Sequence, residues 1–180
     1  MLIGIFGYKG HGKDTVGRVL RQERGYALTS FARPLKTMLQ AGLGLSAEQT
    51  DGDLKEVVDP RYGVTPRFLM QTLGTEWGRD TVSPEIWVQA TRQLLLDSKT
   101  PVAVTDVRFT NEAAMISGLG GALLYVHRPD AGFDTSHASE QGVEKILAGF
   151  PCYGVTNDGT LDDLARKVLD LEAAISKERT

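Results

Sequence analysis

Residues 2–20 read LIGIFGYKGHGKDTVGRVL. Leu2 to Phe6 is a short, nearly continuous apolar run closed by Gly7, the pattern of a strand covered on both faces. Val16, Val19 and Leu20 then recur at i, i+3 and i+4, the spacing of an amphipathic helix. Between the two lies a glycine-rich turn that carries Lys9 and Lys13, with the carboxylate of Asp14 directly behind Lys13.

From Gly7 to Lys13 the spacing is G-x-x-x-x-G-K, set after a strand and opening a helix, which is the context that gives this pattern meaning as a phosphate-binding loop. Glycines let the backbone curl so that successive N–H groups converge on an anion, and the helix N-terminus adds its dipole. Lys13 is then within reach of β- and γ-phosphate oxygens, where it stabilises charge during transfer. Asp14 departs from the common pattern, which has Ser or Thr there; here the hydroxyl, Thr15, comes one residue later. A carboxylate beside a triphosphate is repulsive unless Mg²⁺ or Lys13 compensates it. Asp14 therefore reads equally as a Mg²⁺ ligand with Thr15 or as a complement to the helix N-terminus, worth about 0.3 to 1 kcal/mol.

Outward from this stretch, strands and helices alternate. Tyr26 to Phe31 reads as a second strand, and Pro34 opens a helix with Leu35, Met38 and Leu39 on one face. Residues 42–64 are polar and weakly periodic, as expected of a mobile surface insertion. Thr65-Pro66 caps and opens a helix with Leu69, Leu73 and Trp77 on its apolar side, and Ser83-Pro84-Glu85 opens another carrying Trp87, Ala90, Thr91, Leu94 and Leu95. Residues 101–105 form a third strand ending at Asp106; Thr110 caps a short helix with Ala113, Ala114 and Ile116; Ala122 to Val126 and Tyr153 to Thr156 are the fourth and fifth strands. Thr160 with Asp163 is a capping box for a last helix. The expected fold class is α/β: a five-stranded parallel sheet with helices on both faces, a three-layer sandwich.

The 180 residues suit one domain with insertions, large enough to bury a core. Twenty scattered Lys and Arg against 23 Asp and Glu leave a net charge of -3, which argues against a nucleic-acid polymer as partner. Cys152 is the single cysteine, so no intrachain disulfide forms. No leader and no 18-residue apolar run are found, so no membrane role and a cytoplasmic location are expected.

Asp106, at the end of an apolar strand, is placed like a Walker-B acid holding Mg²⁺ directly or through water, in one crevice with residues 7–13. Arg108 and Asn111-Glu112 follow it. In the helix from Pro66, Arg67, Gln71, Thr75 and Arg79 are spaced four apart and spiral by about 40° per step; Arg forks there match phosphate oxygens. Core packing is expected for Trp77, whereas Trp87 stays open between the core and stacking on a base, and is kept among the substrate contacts. Arg128 either contacts the transferring phosphoryl group or pairs with Asp130. His137 and Glu140 lack metal-site spacing, and no zinc is assigned.

Taken in order, GYKGHGKDT, FARPLK, LMQTLGTEWGRD, TDVRFTNEA, HRP and NDGTLDDL resemble phage-type deoxynucleoside monophosphate kinases over most of the chain. The resemblance implies a P-loop, NMP-kinase-like fold and transfer of the ATP γ-phosphoryl group to a deoxynucleoside monophosphate (dNMP), with Mg²⁺. It also makes Asp14-Thr15 an expected variant of the loop. Under it Gly10, His11, Gly12, Lys13, Asp14 and Thr15 bind ATP phosphates and Asp106 assists Mg²⁺. Lys36, Arg67, Gln71, Glu76 and Arg79 line the monophosphate site, and Arg108 and Glu112 sit between the substrates. Asn157 lies near the adenine. The lid holds only Arg128 and Lys145 as cations, which shifts charge neutralisation to Arg108 and Lys9. The implied organisation is a core (1–41, 98–127, 146–180), an NMP-binding insertion (about 42–97) and a lid (about 128–145), with a homodimer as the implied assembly. The rival readings are another small-molecule P-loop kinase, of dephospho-coenzyme A or phosphomevalonate type, and a non-catalytic nucleotide-binding switch module.

Overall fold

The structure is a computed structural model that describes residues 1–131 and 138–179, the stretch 138–141 by its backbone alone. The chain forms two compact units, Met1–Ser30 with Leu95–Thr180, and Phe31–Leu94. The strands are β1 (Leu2–Phe6), β2 (Ala27–Thr29), β3 (Val102–Val104), β4 (Ala122–His127) and β5 (Tyr153–Thr156). The helices are α1 (Lys13–Arg24), α2 (Arg33–Leu43), α3 (Ala47–Thr50), α4 (Pro66–Gln71), α5 (Ile86–Leu96), α6 (Thr110–Gly118), α7 (Ala138–Gly149) and α8 (Leu161–Glu178).

In the first unit the five strands form one parallel sheet in the order β2-β3-β1-β4-β5, as the alternation of elements predicts. A parallel sheet must be covered on both faces. On one side α1 and α8 bring Val16, Leu20, Leu164 and Val168 onto Ile3, Ile5, Leu124 and Val126. On the other, α6 lies directly on β1: a Cβ at Gly4 would stand 3.1 Å from the Ile116 side chain. Thr160 and Asp163 form the expected capping box at the start of α8.

Two local expectations in this unit are corrected. Thr110 is the first residue of α6 and does not cap it; Glu112 reaches back instead, accepting hydrogen bonds from the backbone N–H groups of Arg108 (2.7 Å) and Phe109 (3.1 Å). The Phe109 N–H, at the N-cap, is a donor that a helix start leaves without an intrahelical partner. The helix α7 was not foreseen, although Val143 and Ile146, both buried, carry the start of its 3.6-residue pattern. His137, the side chain of Glu140 and much of the presumed lid lie outside the described residues.

The second unit packs around Leu35, Leu39, Leu45, Met70 and Trp87. Residues 42–64, expected to be a mobile insertion, are more organised than that. They hold α3, a 3₁₀ turn at Asp53–Glu56 and an antiparallel bridge between Asp59 and Val64. Thr50 and Asp59 are buried polar groups with partners: Gln40 donates to the Thr50 hydroxyl at 2.6 Å, and the Asp59 carboxylate accepts from Gln49 (2.7 Å) and from Arg61 Nη2 (2.6 Å).

After Gln71 the helix changes from α to π over Thr72–Val82, and at its end the Ser83 N–H bonds the Gly78 carbonyl at 2.9 Å, an i→i+5 contact. The change rotates the faces relative to the 3.6-residue reading. Trp77, expected in the core, is 42% exposed, and Trp87 is the buried one. The Trp87 indole N–H bonds the Gly74 carbonyl at 2.7 Å, and a Cβ at Gly78 would meet its ring at 2.7 Å. Trp87 is thus packed in the core of this unit.

Candidate functional site

The loop after β1 has the backbone of an anion cradle. Gly7, Gly10 and Gly12 all have positive φ, at 146°, 81° and 101°. Two of them also leave no room for a side chain: a Cβ would lie 2.3 Å from the Val126 carbonyl oxygen at Gly7 and 2.7 Å from Asn157 Nδ2 at Gly12. The central strand β1 delivers this loop to the C-terminal edge of the sheet, and α1 begins at Lys13, so its first N–H groups and dipole sit at the loop. Lys13 is folded over the loop, its Nζ donating to the carbonyls of Gly7 and Tyr8, each at 2.8 Å. Lys9 and Gly10 are exposed.

Asp14 is exposed in the first turn of α1, where a carboxylate complements the dipole. Thr15 is half-buried, and its hydroxyl accepts from Arg18 at 3.2 Å. Asp106 follows β3 and is half-buried, flanked by Thr105, whose N–H bonds the Thr29 carbonyl, and Val107, whose N–H bonds the Ile5 carbonyl. Because β3 and β1 are parallel neighbours, Asp106 and the glycine loop leave the same sheet edge from adjacent strands.

His11 and Asn157 bond to the backbone beside the loop. The His11 side chain is fully buried, and its Nδ1 accepts the backbone N–H of Arg128 at 3.1 Å. Burial, then the neighbouring charge of His127, hold its pKa below the ordinary histidine value. Asn157 donates from Nδ2 to the His11 carbonyl at 3.1 Å, and its backbone N–H bonds the His127 carbonyl at 2.7 Å. Both residues brace the loop against the ends of β4 and β5. Glu112, expected between substrates, is 1% exposed and spends its carboxylate on backbone N–H groups; Arg108 and Arg128 are exposed.

In the second unit, α2 packs with α3 and α4, and α4 with the 3₁₀ turn. This brings two expected phosphate cations onto carboxylates of one short segment. Lys36 pairs with Asp51 at 2.6 Å, and Arg67 pairs with Glu56 at 2.9 Å. Arg79 donates to the Pro84 carbonyl at 3.4 Å at the end of the π segment; Gln71 and Glu76 are exposed on the same helix. Sequence reasoning missed Asp51 and Glu56, which only their position in an acidic stretch near the arginines signalled. It also missed the hydrogen bond from the Tyr8 hydroxyl to Glu144, which ties the loop to α7.

Among the described residues no three His, Cys, Asp or Glu side chains gather as a metal cage. Mg²⁺ keeps several waters and is held by one or two carboxylates plus substrate phosphates. Asp106, Thr15 and Asp14 are a donor set of this kind. No helix among the described residues is long and apolar enough to cross a membrane.

The family model described as deoxynucleotide monophosphate kinase matches residues 45–168. A protein of Acanthamoeba polyphaga mimivirus assigned as a deoxynucleotide monophosphate kinase is 37% identical over 166 residues, covering 81% of this chain and 83% of that protein. The deoxynucleoside-5'-monophosphate kinase of Escherichia phage T5 is 41% identical over 54 residues, covering 29% of this chain and 22% of that one. Among solved structures, a dephospho-CoA kinase from Campylobacter jejuni aligns with a TM-score of 0.56 at 14% identity over 98% of this chain and 97% of that one. A gluconokinase from Sinorhizobium meliloti 1021 aligns with a TM-score of 0.53 at 16% identity over 98% and 93%. These likenesses show a shared α/β fold. The match over residues 45–168 and the mimivirus relative go further: the chain belongs to the deoxynucleotide monophosphate kinase family.

Proposed function

We propose that this chain transfers the γ-phosphoryl group of ATP to a dNMP, giving the deoxynucleoside diphosphate and ADP. The observation that carries the reading is the Lys13 ammonium lodged in a glycine cradle at the N-terminus of α1, in a chain of this family. An oxygen of the acceptor phosphate attacks Pγ, and the β–γ bridging oxygen departs with ADP. The protein supplies positioning and charge, with little covalent chemistry.

In this reading the backbone N–H groups of Lys9, Gly10, Gly12, Lys13, Asp14 and Thr15 hold the ATP phosphates, and Lys13 leaves its loop carbonyls for the β- and γ-oxygens. Arg108 and Arg128, exposed near the loop's sheet edge, stabilise the equatorial oxygens. Asp106, with Thr15 or Asp14, holds Mg²⁺, which when bound neutralises phosphate charge. Lys36, Arg67 and Arg79 bind the acceptor phosphate, and Gln71 and Glu76 face its sugar and base. The functional division is a core, an NMP-binding insertion at about 42–97 and a lid at about 128–145. The viral and phage relatives support a host-cytoplasmic location, and the chain is read as a homodimer by resemblance.

The test is ADP release from ATP and Mg²⁺ across a panel of dNMPs, NMPs, dephospho-coenzyme A, phosphomevalonate and gluconate. Turnover with one or more dNMPs is expected. Turnover with a non-nucleotide acceptor alone, or with none, would overturn the assignment.

A further inference from the structure

We infer that His11 is a positioning residue for Arg128, fixing the point from which that arginine leaves the sheet relative to the glycine loop. The inference rests on the proposed transfer reaction, in which Arg128 acts on the transferring group.

The geometry is closed on every side. His11 is fully buried inside the loop that holds the phosphates, and its own N–H bonds the Tyr8 carbonyl at 3.3 Å. The ring lies with its centroid 5.4 Å from Tyr8 and 5.7 Å from His127, the last residue of β4. Nδ1 takes the backbone N–H of Arg128, the residue after β4. The Arg128 carbonyl in turn accepts the N–H of Ala131 at 3.2 Å, closing a turn directly after β4.

An acceptor at Nδ1 defines the protonation state: the ring is neutral and its proton is on Nε2. Nε2 is buried and meets no hydrogen-bond partner among the described residues. An orphaned buried donor is costly, and an apolar side chain of similar size would avoid it. What the imidazole provides and an apolar side chain cannot is the bond to Arg128. The charged and titratable groups around it are His127 on β4, Lys13 on α1, and Tyr8 with its partner Glu144 on α7. Burial first, then His127 and last Lys13 disfavour an imidazolium, and they outweigh the backbone of Ala131 and Val126, which favours it, so Nδ1 stays free to accept. A protonated ring would set two N–H groups against each other and release residue 128.

The consequence is that His11 acts through Arg128 and not on phosphate itself. Misplacing a group by about an ångström costs up to a hundredfold in rate. The test compares His11→Asn, whose Oδ1 stands near the Nδ1 position, with His11→Gln, whose carbonyl lies a bond further out, each alone and combined with Arg128→Ala. Expected is a kcat close to wild type for His11→Asn and a roughly ten- to hundredfold loss for His11→Gln. The double variant His11→Gln/Arg128→Ala should be no slower than Arg128→Ala alone. Losses that multiply, or equal effects of Asn and Gln, would overturn the inference, as would wild-type kcat in Arg128→Ala. If the wild type transfers to no monophosphate, the proposed reaction fails. The tie is then decided by ¹⁵N NMR of the histidine rings, where an Nε2-protonated, Nδ1-bonded His11 is expected and an Nδ1-protonated ring contradicts it.

Discussion

The Lys13 ammonium donates to the Gly7 carbonyl oxygen at 2.8 Å, and to that of Tyr8 at the same distance, so the cation of the glycine loop rests on the loop's own backbone. These two bonds hold the loop closed over a site whose N–H groups repel a cation. They also mean that phosphate binding exchanges two neutral acceptors for anionic oxygens, a stronger pairing. Lys13→Ala is expected to lower kcat by on the order of a hundred- to thousandfold, the range for loss of one group that stabilises transition-state charge. Circular dichroism should report an unchanged fold; wild-type turnover would remove Lys13 from the reaction.

Arg67 and Glu56 form an ion pair in which both side chains are more than half exposed, at 53% and 68%. Such a pair is weak, about 0.2 to 1 kcal/mol, and an acceptor phosphate must displace the carboxylate. Glu56→Gln should therefore lower the KM for the dNMP by about two- to fivefold and leave the KM for ATP unchanged. Arg67→Ala should raise the dNMP KM far more than the ATP KM. Steady-state kinetics with each substrate varied decide both, and equal effects on the two KM values would contradict the placement of Arg67.

Gly7 has φ 146° and its missing Cβ would lie 2.3 Å from a backbone oxygen of β4, an atom that no side-chain rotation can move aside. Gly7→Ala is expected to displace the loop from β4 and weaken ATP binding, with a lowered Tm. Gly10→Ala meets no atom within 4 Å and suffers only from its φ, so it should be the milder variant. Thermal melts with and without an ATP analogue test the order; a milder Gly7→Ala would contradict it.

Asp59 is buried and accepts from the Arg61 guanidinium, then from the Arg61 backbone and Gln49, which together hold its carboxyl well below the usual carboxylate range. The sign follows from linkage. A depressed folded-state pKa gives stability that is present above the unfolded value, about 3.9, and is lost as the pH falls below it. Melting curves of the wild type should therefore lose stability in this acid range, and Asp59→Asn should be less stable at neutral pH with a flatter acid limb. An acid limb of unchanged slope in the variant would show that Asp59 is not the group responsible.

Much of the first unit was legible because its signals are local. Leu2 to Phe6, the glycine spacing and the Thr160–Asp163 cap each fix structure through neighbours in sequence. The stretch 45–64 was not legible, because its order comes from side chains distant in sequence: Gln40 on Thr50, Gln49 and Arg61 on Asp59. No periodicity records such pairs. The exchange of Trp77 and Trp87 has a sharper cause, since the α spacing applied to Leu69, Leu73 and Trp77 fails where the helix becomes π at Thr72. For the site, Lys13 and Asp106 could be placed from the strands before them. His11, Asn157 and Glu112 could be assigned to the right neighbourhood but not to their work, because whether a side chain faces a ligand or braces a backbone depends on contacts 117 and 146 residues away for the first two.

The central claim is tested most directly by following the label of γ-labelled ATP in the presence of Mg²⁺ and each dNMP in turn. The account predicts that the label appears on the β-phosphate of a deoxynucleoside diphosphate, in step with ADP formation and abolished by Lys13→Ala. Label recovered only as inorganic phosphate, or left on ATP with every dNMP, would contradict it.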